Sequence, residues 1–269
     1  MENVRIGVVT CNCPVGDIEG NLRAMEGRVA EAARQEADII CFPELNIPGY
    51  CLDPAVYETA AGEYDRIARQ LGEMAKRHNL TILAGSVQRE RQSSRFFAVH
   101  LVVRPHMPVA AYQKLHIAPP EKNLFQGGGT VPVFDIPKAV FGIQLCYDAH
   151  FPGLSARMAV NGADILFFPH ASPRGTSSEK KTSWLRHLTA RAYDNSVFVA
   201  ACNQAGDNDK ELEFPGLALV LGPSGDLLDV RDTEGLLVAD LSADMLADIR
   251  NHRMRYFLPH RRPALYGDR

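Results

Sequence analysis

Short, uninterrupted apolar segments that alternate with stretches of helical periodicity constrain this chain more than any other feature. Runs rich in Val, Ile, Leu and Phe recur at 4–10, 38–43, 80–87, 96–103, 139–146, 164–169, 197–202, 216–221 and 235–240. Their length and composition suit strands buried on both faces. Between several of them the spacing changes. "NLRAMEGRVAEAARQEA" puts Leu22, Met25, Val29 and Ala33 on one stripe, and "EYDRIARQLGEMAKRHN" does the same with Ile67, Leu71, Met74 and Ala75. Further helices are predicted at 152–162, 181–194 and about 242–252.

Strands covered on both faces need a second sheet or a layer of helices, so the fold class is α/β, a layered sandwich. With 46% hydrophobic and 23% charged residues among 269, there is ample material for a core. The loops "NIPGY", "APPEKNLFQGGG" and "SPRGTSSEKK" carry turn chemistry, and none resembles a linker. One domain over 1–269 is therefore expected, with no internal repeat.

A net charge of -3 with scattered lysines and arginines offers no phosphate-binding face, so nucleic acid is not an expected partner. No apolar run reaches the roughly 18 residues of a membrane span, and "VRIGVVT" near the start reads as a strand, not a signal peptide. A cytoplasmic protein is expected. The cysteines at 11, 13, 41, 51, 146 and 202 form neither a disulfide framework nor paired zinc motifs. "CNC" at 11–13 has no histidine nearby, and "QGGGT" lacks the helix a phosphate loop requires.

Three polar groups stand where strands give way to loops: Glu44 in "FPELNIPGY", Lys114 in "YQKLH" and Cys146 in "CYDAHFPG". Singly, each has a bland alternative as a capping acid, a surface cation or a small buried hydrophobe. Together they supply a nucleophile, a base and a cation. A glutamate can take a thiol proton and return it to a departing amine, while an ammonium favours the thiolate and steadies an oxyanion. These roles fit acyl transfer at a carbon bonded to nitrogen.

The same segments, in this order, resemble the nitrilase (carbon-nitrogen hydrolase) superfamily. The likeness extends to "GADILFFPHASP", "WLRHLTARAYDNSVFVAACNQAG" and "RRPALYG", nearly the whole chain. It implies an α-β-β-α sandwich of two central sheets flanked by helices, and homodimers that stack helices into a longer sandwich. The stripe of "GLSARMAVNGA" is compatible with such an interface. It further implies Cys146 as nucleophile, Glu44 as base, Lys114 and the Tyr147 N–H as oxyanion donors, and Glu121 of "EKNLFQGG" as an orienting acid. No cofactor or metal is implied. Tyr50, His150 and His170 are expected to line the substrate pocket with Tyr147, His116 to support Lys114, and Trp184 to pack.

The implied reaction is hydrolysis of a small linear amide or N-carbamoyl (ureido) compound through a Cys146 thioester. A nitrile substrate and a non-catalytic assembly role are the alternatives. The "CYD" sequence is typical of the amide branch, whereas nitrile-cleaving relatives more often read "CWE". Many relatives read "RFPE" where this chain has His150 and Gly153, so a fixed cation is missing at that point. Neutral or amine-bearing substrates are expected on that ground. The brevity of "HIAPPEKNLF" predicts a wide pocket mouth.

Overall fold

A computed structural model describes residues 1–90 and 94–266. Gly267 of "RRPALYG" lies outside them. Two six-stranded sheets carry the fold. The first runs β14 (Gly235–Leu241), β1 (Val4–Thr10), β2 (Ile39–Cys41), β3 (Thr81–Arg89), β4 (Phe96–Val103), β5 (Ala110–Gln113). The second runs β13 (Leu227–Arg231), β12 (Ala218–Leu221), β9 (Phe198–Asn203), β8 (Ile165–His170), β7 (Ala139–Ile143), β6 (Phe134–Ile136). In each, three central strands are parallel and the outer ones antiparallel. The two halves thus repeat a topology although the sequence shows no repeat, because pairing direction requires only the alternation of element types.

Alternation along the strands assigns the layers. Ile39 and Cys41 of β2 join Val4, Ile6 and Val8 of β1 in a core shared with Phe141, Ile143 and Phe167 of the other sheet. Ile40, pointing the other way, packs with Leu22, Met25 and Val29 of α1 (Ile18–Arg34) and Ile67 and Leu71 of α3 (Tyr64–His78). The second sheet is covered by α4 (Pro152–Val160) and α5 (Ser177–Asn195), whose Met158, Trp184 and Leu188 enter its core. Around the sheets lie α2 (Pro54–Gly62), α6 (Ala243–Arg250), α7 (Pro263–Tyr266) and a two-residue hairpin pair, β10 (Gly206–Asp207) and β11 (Glu213–Phe214). The expected α-β-β-α sandwich is what forms. Among the described residues, no helix is long and apolar enough to cross a membrane.

The nine expected strands all form, within about three residues at their ends. Among the elements the expectation omitted are β5, β6, β13 and α2, besides the two-residue β10 and β11 and the single-turn α7. The first three are short edge strands, and Leu227 and Leu228 of β13 are exposed, so no continuous apolar run marks them. The omission of α2 is different, since Asp53 accepts from the Ala55 N–H at 2.9 Å and Pro54 opens the helix. That Asp-Pro start signal was readable.

Candidate active site

Each reactive side chain is delivered by the end of a strand. After β2 the chain turns sharply, with Leu45 at φ +52. The Glu44 carboxylate is thereby driven inward until its residue is only 1% exposed. The turn passes so close to β3 that a Cβ on Gly85 would lie 2.2 Å from the Leu45 nitrogen. Only glycine admits that approach. Asn46 then fixes the turn, its Oδ1 accepting from the Gly85 N–H at 2.7 Å, and Gln204 Nε2 donates to the Glu44 carbonyl at 2.8 Å.

Lys114 follows β5 and is equally buried. Its Nζ donates to Glu44 Oε1 and to Glu121 Oε2, both at 2.8 Å. Glu121 ends a single helical turn over Pro119–Glu121 and also accepts from the Tyr50 hydroxyl at 3.1 Å. The second oxygen of Glu44 accepts from the Ala171 N–H at 3.2 Å. Although burial opposes the charged ammonium, the two carboxylates hold Lys114 well above the usual lysine range. Glu44 is pushed up to about 7, chiefly by burial, with Glu121 adding to the rise and Lys114 opposing it.

Cys146 opens a tight turn over Cys146–His150 after β7, at φ +42. Asp148 holds that turn: its Oδ2 accepts from the Leu145 N–H at 3.1 Å and from the Tyr112 hydroxyl at 2.8 Å. Its Oδ1 accepts from the His116 N–H at 2.8 Å and lies 2.7 Å from His116 Nδ1. The His116 ring stacks on Phe151 with centroids 3.6 Å apart. His116 therefore secures the cysteine turn through Asp148. Arg191 clamps the same turn from α5, donating from two nitrogens to the Ala149 carbonyl at 3.2 and 3.0 Å. Burial and the nearby Glu44 push the Cys146 thiol up to about 12, against the pull of Lys114.

Cys146 and Glu121 open into one cavity of about 810 Å³, walled by Tyr50, Tyr147, His150, His170, Trp184 and the Ala118–Pro119–Pro120 rim, among others. All four residues expected in the pocket are there. His170 is buried, its Nδ1 lying 2.7 Å from the Phe168 carbonyl and its ring 4.3 Å from Trp184, and burial keeps it neutral. Trp184 packs on its helix, as expected, and also faces the cavity.

Asp148 and Lys180 are among the residues of this site that the sequence did not single out, as are Asn46, Arg191 and Gln204. Asp148 stands inside the quoted "CYDAHFPG", but its work depends on Tyr112 and His116, 36 and 32 residues away in the chain. Lys180 lines the cavity from α5 and is 6% exposed. Its "SSEKK" context reads as a solvated charge run. The missing arginine near His150 thus does not leave the cavity without a cation. Elsewhere, Cys11 and Cys13 of "CNC" are buried with their sulfurs 3.5 Å apart, and no trio of metal-ligating side chains occurs among the described residues.

A two-sheet sandwich presenting a carboxylate–lysine–carboxylate cluster and a cysteine at one cavity defines a nitrilase-superfamily protein. The carbon-nitrogen hydrolase family model matches residues 5–251, and the chain belongs to that family. It is a carbon-nitrogen hydrolase. The 2-oxoglutaramate amidase of Bacillus subtilis is 30% identical over 224 residues, 82% of this chain and 84% of that protein. The N-carbamoylputrescine amidase of Arabidopsis thaliana is 28% identical over 280 residues, 93% of this chain and 90% of that protein. Among solved structures, a mutant amidase from Nesterenkonia sp. AN1 superposes with a TM-score of 0.83 at 26% identity. The match covers 98% of this chain and 95% of that one. That structure shows covalent addition of the acetamide moiety of fluoroacetamide at its active-site cysteine.

Proposed function

We propose that the protein hydrolyses a small linear amide or ureido compound through a thioester on Cys146. The observation that carries this reading is the Lys114 ammonium held between Glu44 and Glu121, the last of which lines the cavity that Cys146 enters. Because the resting sulfur is a thiol, its proton must leave as the carbon–sulfur bond forms. Glu44 takes that proton. The carbonyl oxygen gains charge and is met by the third N–H of Lys114, the other two being held by the glutamates, and by the Tyr147 N–H. Glu44 then returns the proton to the nitrogen, the carbon–nitrogen bond breaks, and ammonia or an amine departs. Water attacks the thioester and gives one proton to Glu44. The carbon–sulfur bond breaks, the thiol is restored from Glu44, and the acid leaves. The other glutamate, Glu121, keeps Lys114 and Tyr50 in register.

The names of the relatives span an oxo-acid amide and a carbamoylated diamine, which supports amide and ureido carbonyls alike as targets. Rapid acid quenching of the wild-type enzyme with a panel of amides, followed by intact-mass analysis, tests the mechanism. The expected result is a mass gain equal to the acyl group, mapped to the peptide that holds Cys146. Turnover with the adduct on another residue would sink it.

The base role sets a pH dependence. Glu44 accepts a proton only when ionised, and its pKa of about 7 places the acid limb of kcat/KM there rather than in the usual carboxylate range. Activity should climb about tenfold per pH unit below that limb and level off above it. A profile flat from pH 5 to 8 would remove Glu44 as the base.

A further inference from the structure

A second cavity, of about 360 Å³, is lined by Asn46 of the Glu44 turn together with Cys11, Cys13, Met25, Phe42 and Arg28, among others, and shares no lining residue with the cavity of Cys146. The "CNC" segment, which the chemistry above does not use, forms part of its wall. Cys11 Sγ and Cys13 Sγ are in contact at 3.5 Å, and both thiols are free. Burial and the adjoining Cys11 push the Cys13 thiol well above its usual range, so Cys13 rests as a thiol. Cys11 is the more exposed of the two, at 9% against 2%. It is the sulfur that a small oxidant entering the cavity meets first.

Both ends of this segment are tied to the supports of the Glu44 turn. The Cys11 carbonyl accepts from the Ala205 N–H at 2.8 Å, and the residue before Ala205 is Gln204, whose side chain holds the Glu44 carbonyl. Beyond Cys13, Asn21 Nδ2 donates to the Pro14 and Ile47 carbonyls, each at 2.9 Å, and the Gly16 N–H donates to the Pro48 carbonyl at 2.9 Å. The two segments are packed without slack. At Gly49, where φ is +75, a Cβ would lie 2.8 Å from the Cys13 carbonyl oxygen and 2.7 Å from Val15 Cα. A disulfide needs its sulfurs at roughly 2.0 Å and fixes both Cβ positions. Closing the pair from 3.5 Å therefore pulls on a segment anchored to that turn at either end.

We propose that Cys11 and Cys13 form an oxidation site, closed to a disulfide by a peroxide, and that the cross-link displaces the Glu44 turn and lowers the enzyme's activity. The Cys11 sulfur attacks one peroxide oxygen, the O–O bond breaks, and the second oxygen leaves with the thiol proton as water. Cys11 is then a sulfenic acid. The Cys13 sulfur attacks that sulfur, the S–O bond breaks as the S–S bond forms, and the hydroxyl departs with the Cys13 proton as a second water. Two electrons have passed from the sulfurs to the peroxide. A thiol reductant reverses the change through a mixed disulfide, restoring both thiols and becoming oxidised itself. A shift of about 1 Å in a catalytic group costs on the order of 10²-fold in rate. The oxidation needs no substrate, so only its effect on turnover rests on the amidase reading.

The test begins with the Cys146→Ala protein, which removes the active-site thiol from the comparison. It is treated with hydrogen peroxide and digested with trypsin. Residues 6–23, bounded by Arg5 and Arg23, form one peptide whose cysteines are Cys11 and Cys13 alone. That peptide is expected to lose two hydrogens and to regain them with a thiol reductant. Added oxygen in place of that loss, or an unreacted pair, overturns the proposal. Hydrogen exchange on the same protein reads the turn without turnover. The Ile47 and Gly49 amides, bonded to the Gly85 and Leu45 carbonyls, should exchange about tenfold faster after oxidation, and an unchanged rate overturns the displacement. Neither measurement alters the pair, so both stand if a variant of it fails to fold. In the third arm, wild type and Cys11→Ser/Cys13→Ser receive the same peroxide treatment and are assayed on one amide. Wild type should lose about 10- to 10²-fold more kcat/KM than the double variant, and the reductant should return it. Equal losses, which oxidation of Cys146 alone would give, overturn the effect on activity. Failure of every amide to react, with the peptide still losing its hydrogens and the turn still loosening, would sink the thioester chemistry and leave the oxidation site standing.

Discussion

Cys146→Ala is expected to lower kcat for amide hydrolysis on the order of 10⁴-fold or more, because nothing else at the site offers electrons to the amide carbon. Two lysine nitrogens stand near the site, but they are spoken for. Lys114 is held protonated by two carboxylates, and Lys180 is bound to Ser172. Glu44 could activate a water molecule directly, and that route sets the residual rate. The variant keeps the Cβ, so the turn at φ +42 and its Asp148 and Arg191 contacts are retained. Its melting temperature should stay within a few degrees of wild type. Steady-state kinetics with calorimetric substrate binding checks both halves: binding persists while turnover disappears. Activity within about tenfold of wild type would take Cys146 out of the mechanism.

The four residues of the cluster were legible from the sequence for a physical reason. Glu44 and Cys146 each follow an apolar strand run, and a rigid strand end is where a side chain can be aimed; Lys114 follows the edge strand β5, which carries no such run, and is marked only by its "YQKLH" context. Their convergence was not legible from spacing. It follows from β2, β5 and β7 sitting in two different sheets that are folded face to face. Glu121 came with the motif around it, whereas its two partners, Lys114 and Tyr50, lie 7 and 71 residues away in the chain.

The residues that escaped notice share a property. Asp148 and Lys180 have roles set by what surrounds them, and their own segments carry no sign of it. The burial of Lys180 depends on Ser172, and Ser172 depends on Asn203 from β9, so a reading of "SSEKK" in isolation gives a solvated helix start. The edge strands β5, β6 and β13 escaped for the opposite reason. Exposure on one side removes the apolar continuity that announces a buried strand.

Removing the central cation probes chemistry and folding together. Lys114→Met is expected to cost about 10²- to 10³-fold in kcat, the usual loss when an oxyanion donor goes. It also leaves Glu44 and Glu121, 1% and 4% exposed, as neighbouring buried acids without their counter-charge. Breaking such a pair costs about 3 to 5 kcal/mol when the survivors stay ionised. They need not stay so. Burial already holds Glu44 at about 7 in the intact site, and Lys114 is the group pulling it down. Without the lysine, the folded-state pKa rises further above the unfolded carboxylate value. The folded state then binds more protons than the unfolded one, and stability falls as pH rises through that interval. Relative to wild type, whose Glu44 already stands at about 7, the loss in melting temperature should accordingly be largest above pH 7 and shrink as pH falls below it. The kcat deficit should persist at every pH, since protonating the glutamates does not restore an N–H to the oxyanion. Melting curves from pH 5 to 8, alongside kcat on one amide, separate the two effects. A stability loss that is flat across that range would mean the carboxylates are not coupled to Lys114 as the geometry requires.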